Sequence, residues 1–101
     1  MNKIIIKTQE QIDGIRKSCQ LASAVLEHIS KYVQVGVSTI ELNQEIECFI
    51  VKNNAIPACK GYQGFPAASC ISLNEVICHG VPDNTKLKSG DILNIDVTTI
   101  L

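Results

Sequence analysis

Three short stretches collect the residue types that can do chemistry. The first is Cys59-Lys60-Gly61-Tyr62-Gln63-Gly64-Phe65-Pro66. The second runs Ser72-Leu73-Asn74-Glu75-Val76-Ile77-Cys78-His79-Gly80-Val81-Pro82, and the third Gly90-Asp91-Ile92-Leu93-Asn94-Ile95-Asp96-Val97-Thr98. An imidazole such as His79 can donate a hydrogen bond or exchange a proton near neutral pH. Asp96 lies at the centre of an apolar run, where a buried carboxylate needs a partner. Leaving it isolated costs several kcal/mol or more, so it must be paired, hydrogen-bonded or metal-bound. Cysteine and aromatic side chains together suit a thioether-bearing ligand, because sulfur against an aromatic edge gains about 0.3–1.5 kcal/mol.

Each of these residues also has a plainer reading. Asp96 could be satisfied by hydroxyls such as Thr98, and His79 could be a turn residue bonded to backbone. Tyr62 and Phe65 could simply pack. Cys59, Cys70 and Cys78 with His79 lack the paired short spacing of a structural zinc site. Cys78 beside His79 is a poor nucleophile and base pair, since neighbours on a strand point to opposite faces.

The elements that must position these groups are legible around them. Thr8 followed by Gln11 is a capping-box pattern, and Ile12, Ile15, Cys19, Ala22, Leu26, Ile29 and Val33 repeat at helical spacing. This predicts a first helix over about 8–34. Ser38 with Glu41 opens a second helix over about 39–53, which turns Leu42, Ile46, Phe49 and Ile50 inward and stops at Asn53-Asn54. The short link predicts an antiparallel helix hairpin. Cys19 and Cys48 are expected in the helix cores, and His28 at a solvated or boundary position. From Ala55 onward Gly and Pro recur between β-type segments. Cys70–Leu73 reads as a strand, Asn74-Glu75 as a tight turn, and Val76–Cys78 as a short continuation. Ile92 to Ile100 reads as one strand. Its alternation puts Ile92, Asn94, Asp96 and Thr98 on one face and Leu93, Ile95, Val97 and Thr99 on the other. Gly61 and Gly64 are expected to adopt positive φ or to allow close backbone approach.

Composition narrows the function classes. The chain has 101 residues, of which 46% are hydrophobic and 19% charged, with nine basic residues against ten acidic. That suits one small domain and argues against a nucleic-acid platform, which needs concentrated positive charge. No apolar run approaches the roughly 20 residues of a membrane span, and the start lacks the features of a signal peptide. Five cysteines with no C-x-x-C pair argue against a disulfide framework and for small buried hydrophobes in a cytoplasmic protein.

The N-E-V-x-C-H-G-V-P run of residues 74–82, with the Cys59–Pro66 cluster before it and the N-I-D of residues 94–96 after it, resembles type I methionine aminopeptidases. The resemblance spans essentially the whole chain but only the amino-terminal part of that catalytic domain. It implies an α/β (α+β) pita-bread fold, amino-terminal half only, with two antiparallel helices packed on an antiparallel β-sheet. Residues 1–101 then form a single partial domain, helical to about residue 53 and β-rich from 55. The implied activity is removal of the N-terminal methionine from nascent proteins by a pair of divalent ions drawn from Co, Mn, Fe, Zn or Ni. Asp96 matches a metal ligand. His79 matches the catalytic histidine that hydrogen-bonds the substrate near the scissile amide, and Cys59, Tyr62, Phe65 and Cys70 match the methionine side-chain pocket. The implied partners are Met-initiated polypeptide ends, with ribosome association left open, no nucleic acid, no membrane, and a monomeric full-length enzyme. In that family the second aspartate, a histidine and two glutamates come later, so the 101 residues alone are expected to be inactive. The ending at Leu101, inside an apparent strand, is read as a break in a longer enzyme. The alternative readings are a non-catalytic pita-bread peptide-binding module and an inert gene fragment.

Overall fold

Helix α1 spans Gln9–Ser30 and α2 spans Thr39–Lys52 in the computed structural model, which describes residues 3–101. The Thr8 hydroxyl accepts from the Gln11 N–H (3.2 Å), and the Gln11 side chain accepts from the Thr8 N–H (2.8 Å). Two amides left unpaired by the helix start are thereby satisfied. The helix ends four residues earlier than its apolar spacing predicts, where the Tyr32 N–H closes a tighter turn on Ile29 O (2.9 Å), and the chain beyond pairs with Leu87. The Gly36 N–H donates to Leu87 O (2.8 Å), and Val37 O accepts from the Leu87 N–H (2.7 Å). At α2 only the Ser38 half of the expected capping box forms, with its hydroxyl accepting from the Glu41 N–H (3.2 Å). The next free amides, Thr39 and Ile40, donate to the Thr85 and Asp83 carbonyls instead (3.1 and 2.8 Å).

The core is built from Val25 and Ile29 of α1, Leu42, Ile46 and Ile50 of α2, and Ala55, Ile71 and Leu87. Cys19 and Cys48 are not in it; both are exposed, as is Cys78. Ile12, Ile15 and Leu26 also stay open at 38%, 49% and 42% exposure. The β layer meets α1 at Ser18, whose carbonyl accepts from the Thr99 hydroxyl (2.9 Å), and full burial begins only at Val25. His28 is at the boundary as expected, 2.8 Å from Glu45 and stacked on Phe49 at 4.4 Å between ring centroids.

The β-rich part contains β1 (Ile56–Pro57), β2 (Cys70–Leu73), β3 (Leu93–Asp96) and β4 (Thr99–Ile100). β2 pairs antiparallel with β3, setting Cys70 opposite Asp96, and β1 pairs antiparallel with β4. The run expected as one strand thus divides at Val97–Thr98, where its partner changes from β2 to β1. Its two-residue alternation survives the division. Leu93, Ile95 and Val97 pack on the core and Thr99 is buried, whereas Asn94, Asp96 and Thr98 are exposed. Val76–Cys78 does not continue β2. Asn74 enters the left-handed region (φ 52), the Val76 N–H closes a turn on Leu73 O (3.1 Å), and the chain leaves the ladder.

Two aspartates staple these loops. Asp83 accepts from the Thr85 N–H (2.9 Å) and the Thr39 hydroxyl (3.4 Å), while Asp91 accepts from the Lys88 N–H (2.8 Å) and the Asn74 amide (3.1 Å). Hydrogen bonds from Thr85 and from Lys88, respectively, hold the two carboxyls below their ordinary range. A carboxyl depressed in the folded state contributes stability above its unfolded pKa, and that contribution is lost as pH falls through the folded value. Stability should therefore be insensitive to these groups above about pH 5 and should decline below about pH 4. Thermal melts of the Asp83→Asn, Asp91→Asn double variant against the parent chain test this. The variant should show a flatter acid limb, and an unchanged limb would refute the assignment.

Candidate active site

Asp96 is carried on the face of β3 turned away from the helices. Leu93, Ile95 and Val97 are held by the core, so the intervening residues must face the other way. Its side chain is exposed. The desolvation argument that demanded a buried partner therefore does not apply, and Asp96 is placed by strand register instead.

Ala58 and Cys70 flank a loop that joins the two two-stranded sheets, β1–β4 and β2–β3, whose partner strands follow one another in the 92–100 segment. The Ala58 N–H donates to Thr98 O (2.9 Å), and the Asn74 N–H donates to Ile92 O (2.7 Å). Both acceptors are even-numbered residues of one continuous alternation, so β1 and β2 lie along the same edge of the 92–100 segment. Residues 59–69 bulge from that edge. Gly61 and Gly64 take positive φ (84° and 83°), as their residue type predicts, and so does Gln63 (49°). Lys60 pairs with Glu47 of α2 at 2.6 Å.

The return of the loop is fixed from beneath by Asn43. Its buried side-chain oxygen accepts from the Ala68 N–H (3.1 Å), the Ser69 N–H (3.0 Å) and the Ser69 hydroxyl (2.8 Å). This residue was not singled out from the sequence. Its signal was a polar residue at inward helical spacing, three residues before Ile46 and seven before Ile50.

His79 is placed by close backbone packing on β2. The Ile71 N–H donates to Gly80 O (2.9 Å) and the Gly80 N–H donates to the Ser72 hydroxyl (3.0 Å). A Cβ on Gly80 would lie 2.1 Å from Ile71 O, so only glycine fits. His79 itself has φ 57, an unusual conformation for a residue with a side chain.

These constraints converge on one cavity of about 550 Å³. Cys59, Tyr62, Phe65, Cys70, His79 and Asp96 all line it, joined by Gln63, Gly64, Pro66 and Thr98. Cys70 is the buried member, Cys59 and Phe65 are half-buried, and the others lie toward the open side. Burial, the adjacent Cys59 and the nearby Asp96 push the Cys70 thiol up to about 11, so it stays protonated at neutral pH. A larger groove of about 830 Å³ between α1 and β4 is lined by no histidine, aspartate or glutamate among the described residues, and the smaller cavity is the better candidate for chemistry.

The chain matches metallopeptidase family M24 over residues 13–101. It belongs to that family. It is 54% identical over 99 residues to the methionine aminopeptidase of Escherichia coli K12 and 50% identical over 97 residues to that of Buchnera aphidicola. These alignments cover 96% and 95% of this chain but only 38% and 37% of those proteins. The crystal structure of methionine aminopeptidase from Rickettsia prowazekii superposes with a TM-score of 0.96 at 44% identity, covering 98% of this chain and 40% of that one. The M24 chain thus has the amino-terminal portion of the pita-bread α+β fold and spans about two-fifths of the length of these relatives. No helix among its described residues is long and apolar enough to cross a membrane.

M24 enzymes are metallopeptidases, so a divalent metal requirement goes with the family. The donors present do not make a metal centre by themselves. Among the described residues no group of three His, Cys, Asp or Glu side chains could hold a metal ion.

Replacing Gly80 tests how His79 is held. Gly80→Ala should cost about 1–3 kcal/mol, typical of overpacking, read as a lower urea midpoint, and should shift the His79 ring resonances. A variant within about 0.5 kcal/mol of the parent, the ordinary range for a surface change, with an unmoved His79 would contradict the packing argument.

Proposed function

We propose that this chain supplies the methionine-binding share of a methionine aminopeptidase active site. The supporting observation is the convergence of six residues, spread from position 59 to position 96, on one cavity. Cys59, Tyr62, Phe65 and Cys70 form a wall of sulfur and aromatic edges that suits a thioether. A protonated Cys70 suits that wall, because a neutral thiol is an apolar neighbour and a thiolate is not. His79 donates from the rim to the substrate amide, and Asp96 is one ligand toward the family's metal pair. The substrate class is the Met-initiated end of a newly made polypeptide in the cytoplasm.

One carboxylate does not hold a dinuclear centre, so hydrolysis needs donors beyond these 101 residues. A second reading for the chain as it stands is peptide binding without turnover, in the same cavity.

Titration with a Met-Ala-Ser peptide separates these outcomes. NMR shifts should concentrate on Tyr62, Phe65, Cys70 and His79, with no methionine released when Co(II) or Mn(II) is added. Shifts confined to the α1–β4 groove would contradict the binding assignment, and turnover would contradict the ligand argument. In a polypeptide carrying the remaining donors, Asp96→Ala should abolish metal-dependent turnover. His79→Ala should lower kcat by about 10²–10³, the effect of losing one preorganised donor, with metal content retained. Loss of both together on His79→Ala would refute the separate roles.

A further inference from the structure

Cys59 and Cys70 are the first residue of the cavity loop and the first residue of the strand it returns to. Ala58 is held opposite Thr98 and Cys70 opposite Asp96, on the same edge of one extended segment. Those two anchor points are two residues apart, about 6.6 Å at roughly 3.3 Å per residue. Cys59 is one residue closer to Cys70 than Ala58 is along the chain. The Cys59 Cα lies one chain step, about 3.8 Å, from that of Ala58, so the register brings both cysteines to the base of the loop, where a disulfide asks for roughly 4.4–6.8 Å between Cα atoms. The two side chains line the same cavity, and Cys59 is among the groups that raise the Cys70 thiol.

We infer that Cys59 and Cys70 are a vicinal thiol pair that a low-molecular-weight disulfide converts into a cross-link across the base of the cavity loop. The two thiols differ in access, which orders the steps. Cys59 is half-buried and meets the oxidant first, whereas Cys70 is buried. The Cys59 thiolate attacks glutathione disulfide, giving a Cys59–glutathione mixed disulfide and releasing one glutathione. Cys70, protonated at rest, first gives its proton to water, and the thiolate so formed attacks the Cys59 sulfur and expels the second glutathione as its thiolate, which takes up a proton. Two thiols are oxidised and one glutathione disulfide is reduced. The bond ties the loop shut at its feet and removes the free thiols from the cavity wall. Cys19 lies on α1 and Cys48 on α2, both exposed and neither lining this cavity, so each is expected to stop at the mixed disulfide. The formation of this bond does not depend on which ligand the cavity takes.

The test is native oxidation of the 101-residue chain with excess glutathione disulfide, an alkylating quench, and peptide mapping without reductant. A peptide joining Cys59 to Cys70, reversed by dithiothreitol, is the expected product. It should persist in Cys78→Ser, and in Cys59→Ser the Cys70 thiol should be recovered unmodified. A stable glutathione adduct on Cys59 with Cys70 still free would overturn the inference. So would a Cys70–Cys78 link, or random pairing among all five cysteines.

Discussion

Two-residue periodicity along 92–100 is the constraint on which the cavity depends. Leu93, Ile95 and Val97 pack toward the helices and Thr99 is tied to Ser18, so Asn94, Asp96 and Thr98 have no choice of face. A slip of one residue would drive Asp96 into the core and turn three apolar side chains outward. The unpaired carboxylate alone would cost several kcal/mol. Exposing each aliphatic side chain would add up to about 1.5–3 kcal/mol. Asp96 therefore reaches the cavity because its neighbours cannot leave the core, and the carboxylate itself needs no buried partner.

The remaining cavity residues hang from that segment through backbone contacts. The 59–69 loop is anchored at both feet along the 92–100 segment, and the buried Asn43 satisfies three donors where it returns. Removing that acceptor would leave buried donors unpaired, at about 1–3 kcal/mol. On the outer side of β2, Gly80 lets backbone approach backbone so closely that no side chain fits. His79 is thereby carried to the cavity rim in a conformation it would not choose alone. Each tether is a handful of contacts, and together they gather residues nearly forty positions apart.

What the sequence made legible follows from how local each signal is. The Thr8 and Ser38 caps, the β2 strand and the alternation of 92–100 depend on neighbours within a few residues, and all appear in the structure. The Asn94-Ile95-Asp96 and Cys78-His79-Gly80 motifs, read through family resemblance, named residues that do share one cavity. The failures lie where partners are distant. Cys19 and Cys48 look inward by periodicity, yet no apolar layer covers them. β1 is only two residues long and exists because Thr98 and Ile100 offer an edge forty residues later. The break at Val97–Thr98 is a change of partner, which the strand's own residues cannot announce. Asn43 looked like an ordinary helix residue because its three donors arrive from a separate loop.

The direct test of this account is the strand register, measured by nuclear Overhauser effects in the folded chain. Cross-strand contacts between Cys70 and Asp96 and between Ala58 and Thr98 should occur together, with Ile95 methyl groups touching Ile29. Contacts pairing Cys70 with Ile95 or Val97, and Asp96 protons near the α1 side chains, would contradict it.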